Sequence, residues 1–173
     1  DYKIFGKPIH LTEISIPSSP PFTSWRDFQP HVESLKNVRS KKNRLAIARK
    51  SNKKLEIYQA EYLRDFYTLA FSHPKVEALI YWSGSDLYEW RGTAAGLLDV
   101  EHNPKPAYNV LKDLIKNKWH TNVNNFTGKK GTISFTGFYG EYIGKTILNG
   151  KDQSFTFDHT PGIIDPHVIK LSD

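Results

Sequence analysis

Apolar residues fall along this chain in two periods, and the changeover between them divides it. Lys7 to Ile16 (Lys-Pro-Ile-His-Leu-Thr-Glu-Ile-Ser-Ile) is a short, β-branched, mostly apolar run with Pro8 at its entrance and Pro17 closing it. Near-continuous apolar runs of this length are expected of strands buried on both faces, as in parallel sheets covered by helices. Asp27 to Lys50 carries Phe28, Val32, Leu35 and Val38 at three- and four-residue spacing, which predicts a weak amphipathic helix fading into a mobile loop over 40–52. Leu55 to Phe71 has the clearest helical period, with Leu55, Tyr58, Tyr62, Leu63, Phe66, Leu69 and Ala70 on one wide apolar stripe. His73-Pro74 ends that helix, because a residue before proline is pushed out of the helical region. Val76 to Trp82 reads as a second buried strand, followed by Ser-Gly-Ser-Asp and an aromatic, glycine-rich loop to Leu98. Asn103-Pro104 has the form of an N-cap and a first-turn proline, opening a helix to about Lys118 that buries Tyr108, Leu111, Leu114 and Ile115.

From Thr127 the period becomes two. Gly131–Phe135, Phe138–Leu148 and Gln153–Phe157 alternate as short strands between turn signals at Gly128–Gly131 and Asn149-Gly150, which predicts a small antiparallel meander. The order strand, helix, strand, helix before it predicts α/β architecture, a parallel sheet with helices on its outside. The expected division is therefore an α/β part over 1–122, with a basic insertion at about 36–54, and a β-rich appendage over 123–173. Two βα units cannot cover both faces of a sheet alone, so further chain is expected upstream.

Composition adjusts this picture in three ways. The chain has 173 residues, 38% of them hydrophobic and 13% aromatic, which suits a packed core and argues against global disorder. No run approaches the roughly 18 apolar residues of a membrane span, and no basic-then-apolar leader opens the sequence. Cys is absent, which excludes disulfides, thiolate catalysis and zinc ribbons. Met is absent too and the chain opens on Asp1, the pattern expected of a C-terminal fragment. The net charge of +6 is uneven: every charged residue from Lys36 to Lys54 is basic, and the remainder is slightly acidic. That run carries no interleaved aromatics and no helix-turn-helix pattern, so no nucleic-acid partner is expected and it reads as a solvated insertion.

Glu13 is the first candidate for chemistry. A carboxylate near the C-terminal end of an apolar strand must be paired, solvated in a cleft, or useful, because burying it unpaired is expensive. His10 lies mid-strand and reads as a hydrogen-bonded core histidine.

Several stretches then line up in order. Pro8-Ile-His-Leu-Thr-Glu-Ile-Ser resembles the strand that carries the catalytic nucleophile in glycoside hydrolase family 10, the xylanase family. Gln59 to Pro74 resembles the following helix. Ile80-Tyr-Trp-Ser-Gly-Ser-Asp, Trp90 and Ala95-Gly-Leu-Leu resemble the last barrel strand and its loop. Pro104-Lys-Pro-Ala-Tyr resembles the opening of the final helix, and Phe135 to Tyr142 is similar to a β-rich tail of some members. The likeness covers most of the chain except the basic insertion and the last dozen residues.

The resemblance implies the C-terminal portion of a TIM (β/α)₈ barrel, its last two βα units, followed by the small antiparallel appendage. It implies a parent enzyme, an endo-1,4-β-xylanase, that hydrolyses internal β-1,4-xylosidic bonds of xylan with retention, using two carboxylates about 5 Å apart. Glu13 matches the nucleophile. The acid/base, held by the family in an Asn-Glu-Pro context, has no counterpart here, so the isolated chain is expected to be inactive. Trp82 and Trp90 match the tryptophans that line the sugar site, while Ser83-Gly84 stand where many members carry an aromatic or Asp. The implied partner is xylan or a related plant cell-wall polysaccharide, with no membrane, no metal and no cofactor, in a secreted or extracellular protein. One alternative is a non-catalytic polysaccharide-binding module, with Phe138, Tyr139 and Tyr142 of the β-rich tail stacking on sugars. Another makes the basic segment the functional element.

Overall fold

A computed structural model describes residues 6–162 and 167–171, in two units, Asp1–Lys116 and Asn117–Asp173. In the first unit the order is β1 (Ile9–Ile14), α1 (Trp25–Lys36), α2 (Lys41–Ile47), α3 (Lys53–Ser72), β2 (Val76–Tyr81) and α4 (Pro106–Asp113), which runs on into a π-helical turn at Leu114–Lys118. In the second, β3 (Gly140–Leu148) and β4 (Lys151–His159) form one hairpin.

The expected barrel portion is corrected by this architecture. The described residues form four α-helices and two separate two-stranded sheets, β1 parallel to β2 and β3 antiparallel to β4, in place of the last two βα units of a TIM barrel. A barrel needs its strands tilted and closed edge to edge. Here each strand has one neighbour, and β1 is not buried on both faces: His10, Thr12 and Glu13 are exposed. A short apolar run does not by itself distinguish a strand covered twice from one in a partly open pair.

Helix α3 organises the first unit. Asn52 caps it, its side chain accepting from the Lys54 N–H, and His73 ends it before Pro74. Its buried positions are Gln59, Ala60, Leu63, Tyr67 and Ala70, a narrower stripe than the sequence predicts, since Tyr58, Tyr62 and Leu69 are exposed. Small Ala60 and Ala70 allow close approach, and α4 packs here through Ala107, Leu111 and Leu114. Burial pushes the Tyr67 hydroxyl up to about 12. Removing Leu63, which is fully buried, would leave a cavity costing roughly 2–5 kcal/mol.

Three further boundaries differ from expectation. The loop predicted over 40–52 contains α2, because Ser40 caps it by accepting from the Asn43 N–H and Leu45 and Ile47 are half-buried. α4 starts at Pro106 rather than after Asn103: the Asn103 side chain and N–H both donate to Asp99, which closes a tight loop, and Lys105 occupies the cap position. The second unit is a two-stranded hairpin, with no strand at Gly131–Phe135, so the meander is shorter than predicted. Its turn at Asn149-Gly150 has positive φ at both residues, which is why this pair suits it. One face stacks aromatics: Tyr142 on Phe157 at 5.1 Å, and Phe155 across the ladder from Gly144, whose missing side chain leaves room for the ring.

Candidate functional site

β1 and β2 end side by side. Their last pairing joins Ile14 to Tyr81, and one step further the Trp82 N–H donates to Ile14 O at 2.8 Å. Glu13 therefore precedes the residue whose carbonyl accepts the Trp82 N–H. The strands stay joined beyond the ladder, with Ser15 Oγ 3.2 Å from Ser83 Oγ.

Arg91 brings in a third segment. Its guanidinium donates to Ser15 Oγ, donates through Nε to Glu89 Oε1 at 3.0 Å, and lies 5.6 Å from the centre of the Trp90 ring. Glu89 is a buried carboxylate fixed on its other side, where Oε2 accepts the Thr93 N–H at 2.7 Å and the Thr93 hydroxyl at 3.0 Å. The segments carrying Glu13, Trp82 and Trp90 are thus linked by named hydrogen bonds. Trp82 and Trp90 are 55% and 53% exposed, so both ring systems are open to a ligand.

Glu13 itself is exposed, and among the described residues no cation or donor is bound to its carboxylate. It lines an open groove of about 400 Å³ with His10, Leu11, Ile14, Tyr62 and Phe66; Trp82 and Trp90 lie outside that lining. His10, expected as a core residue, is exposed, with Nε2 3.6 Å from Glu77. Among the described residues no group of three or more His, Asp or Glu is placed to hold a metal ion.

A buried polar cluster fastens the Trp82–Trp90 loop to the rest of the unit. Lys105 Nζ donates to Asp86 at 3.1 and 3.2 Å, to Ser18 Oγ at 2.8 Å and to Ala94 O at 3.0 Å. Asp86 Oδ1 also accepts the Gly96 N–H at 2.7 Å. Burial pushes the Asp86 carboxyl up and the Lys105 ammonium down, against the attraction that holds both charged. Beside them the fully buried Gln59 amide donates to Ile16 O at 2.7 Å and to the Ala95 and Gly96 carbonyls. The Tyr81 hydroxyl donates to Ala95 O at 2.7 Å. Asp86 and Glu89 are therefore internal ties.

Sequence reading did not single out Arg91, Lys105 or Gln59. Gln59 had a signal, since it stands four residues before Leu63 and eight before Tyr67 on the buried line of α3. Lys105 and Arg91 had none, because the bonds that tie them to the segment after β1, to Ser18 and Ser15, span 87 and 76 positions.

No family model matches the chain. Part of it is similar to two curated proteins. One is the anti-sigma-I factor RsgI6 of Acetivibrio thermocellus, 32% identical over 96 residues, which is 56% of this chain and 12% of that protein. The other is endo-1,4-beta-xylanase B of Thermotoga neapolitana, 32% identical over 66 residues, 35% of this chain and 19% of that one. The chain thus matches only about an eighth and a fifth of these relatives' lengths. What the second match supplies is a partial link to a xylanase. No helix among the described residues is long and apolar enough to cross a membrane.

Proposed function

We propose that this chain is a polysaccharide-contacting part of a xylanase-type glycoside hydrolase. Trp82 and Trp90 present aromatic faces to the apolar C–H faces of pyranose rings. Glu13 is the carboxylate that attacks the anomeric carbon in the parent protein. The observation that carries the reading is the joining of the two strand ends, Trp82 N–H to Ile14 O and Ser15 to Ser83, with Arg91 adding the Trp90 loop. The partial similarity to a xylanase supports it.

In a retaining mechanism one carboxylate forms a glycosyl-enzyme bond while a second protonates the leaving oxygen and later activates water. Glu13 is exposed and unencumbered, as an attacking carboxylate must be. Asp86 and Glu89 are held by internal donors and cannot serve as the proton donor without dismantling the loop. Binding is therefore the activity assigned to this chain alone, and cleavage the activity assigned to its parent.

The test is affinity electrophoresis of the full chain in gels containing soluble xylan, beside an assay for reducing ends. Retarded mobility without sugar release is expected, and Trp82→Ala or Trp90→Ala should each weaken retardation about tenfold, about 1.4 kcal/mol. Unchanged mobility in xylan would overturn the binding assignment. In the parent protein, Glu13→Gln should abolish turnover; full turnover would remove Glu13 from the nucleophile role.

A further inference from the structure

We infer that the basic segment Lys36–Lys54, together with the loop presenting Tyr88 and Trp90, recognises an acidic polysaccharide, one whose sugar rings carry carboxylate substituents. This deepens the polysaccharide reading above and rests on it.

The first observation is how the charges of this segment are used. Lys41 pairs with Glu101 at 3.3 Å, and Lys36 pairs with Glu33 within α1. Arg44 turns inward, donating to the carbonyls of Leu87 and Glu89, both at 3.0 Å. Arg49 lies 4.4 Å from the centre of the Phe22 ring. Arg39, Lys42, Lys50, Lys53 and Lys54 are exposed, and among the described residues none of them pairs with an acid. Clustered like charges repel one another and weaken the compact state. An anion laid along the segment relieves that repulsion, and no acid lies within Lys36–Lys54 to do so.

The second observation is what the segment is fastened to. Arg44 binds the Glu89 carbonyl just before Trp90, and the Arg49 N–H donates to Gly92 O just after it, at 2.8 Å. A Cβ at Gly92 would lie 2.5 Å from Leu35 Cδ1 and 2.9 Å from His31 Nε2, so α1 sits directly against the loop. Along this loop Leu87 and Glu89 are buried while Tyr88 and Trp90 are exposed. Exposed, unpaired cations and exposed aromatic rings thus belong to two segments that hydrogen bonds fasten to each other. A polymer of pyranose rings with uronic-acid branches offers both complements: apolar ring faces for Tyr88 and Trp90, carboxylates for the lysines and Arg39. A nucleic-acid strand asks for stacking faces interleaved with the cations, and Lys36–Lys54 contains no aromatic residue.

The experiment compares the full chain in affinity gels containing glucuronoxylan and the same polymer after reduction of its carboxyl groups, with single-stranded DNA as a competitor. Retardation by the acidic polymer is expected to be about tenfold stronger than by the reduced one, and to fall to the level of the reduced polymer as salt is raised. The triple variant Lys42→Glu/Lys53→Glu/Lys54→Glu should abolish the difference while leaving binding to the reduced polymer intact. Its fold is protected because two of the new acids stand in the first turn of α3, where the helix dipole favours them; circular dichroism checks this. Equal binding of the two polymers, unaffected by the triple variant, would overturn the inference and leave the polysaccharide reading standing. Retardation by neither polymer would overturn both. Displacement by DNA at lower concentration than by free glucuronoxylan would overturn the inference in favour of a nucleic-acid surface.

Discussion

The ammonium of Lys105 lies 3.1 Å from the Asp86 carboxylate with both side chains almost wholly out of water, at 2% and 3% exposure. This pair joins the start of α4 to the loop after β2, and through Ser18 it reaches the segment after β1. A buried pair of this kind recovers its desolvation only when the remaining donors and acceptors are met. Here they are met, by Ser18 Oγ, Ala94 O and the Gly96 N–H.

Removing one partner strands a buried charge. Lys105→Met or Asp86→Asn alone should each cost about 3–5 kcal/mol in urea unfolding. The double variant Lys105→Met/Asp86→Asn should cost less than the sum of the singles, because neither charge is then left behind. Additive losses would show that the pair is not coupled.

The same pair sets a pH dependence. Asp86 has a folded-state pKa raised from 3.8, chiefly by burial, so its contribution is fully present below 3.8 and is lost as pH rises through the folded value. Lys105 has one lowered from 10.5, again chiefly by burial, so its contribution is present above 10.5 and is lost as pH falls through the folded value. Relative to the double variant, the chain should therefore lose stability as pH climbs from about 4 and regain it toward about 10.5. A pH-independent difference in unfolding free energy would contradict this.

Gln59 offers a neutral counterpart. Its amide reaches Ile16 O on one side of the unit and the Ala95 and Gly96 carbonyls on the other. Gln59→Leu keeps the bulk but takes the amide donor from the Ile16 and Gly96 carbonyls, while Ala95 O keeps the Tyr81 hydroxyl, at about 1–3 kcal/mol for each carbonyl left unmet. The expected result is a lower denaturation midpoint with an unchanged m-value. A neutral Gln59→Leu would mean that water replaces the amide.

Gly96 and Gly84, in the same loop, should respond in opposite ways to alanine. A Cβ on Gly96 would sit 2.5 Å from the Ser85 carbonyl carbon and 2.7 Å from Leu98 O, backbone that cannot swing away. At Gly84 a Cβ meets nothing within 4 Å. Gly96→Ala should therefore destabilise by more than about 1–3 kcal/mol, the usual cost of overpacking, whereas Gly84→Ala should be neutral or slightly stabilising. Thermal unfolding of the two variants distinguishes them.

How far the sequence reached follows from which forces are local. α3 was legible at Leu55–Phe71 and forms at Lys53–Ser72, because its apolar period lies within it and the proline that ends it stands two residues beyond. The Asn149-Gly150 turn was legible for the same reason. α2 was hidden by its cations, although Ser40 had the identity of a cap. The fold class was misread because β1 reads as a buried run, while its burial depends on partners no local pattern reveals. Glu13 stands out by its place near the end of an apolar run, while its nucleophile role and the sugar-site roles of Trp82 and Trp90 come from resemblance. Arg91, which ties the Trp90 loop to Ser15, could be found only in three dimensions, since its partner is 76 positions away.

Arg91 supplies the last test. Its guanidinium is shared between the Ser15 hydroxyl, the Glu89 carboxylate and the face of Trp90. A lysine reproduces the charge but not the planar fork that reaches several acceptors while stacking on a ring. Arg91→Lys should thus resemble Arg91→Ala rather than the native chain when Trp90 emission is followed with the other three tryptophans replaced by Phe. Both variants should shift that emission, and both should weaken xylan retardation in a Trp90-containing chain. In a Trp90→Ala background, Arg91→Ala should add little further loss, because an anchor for the ring has no effect without the ring. Independent, additive losses would assign Arg91 to general stability and sever it from Trp90.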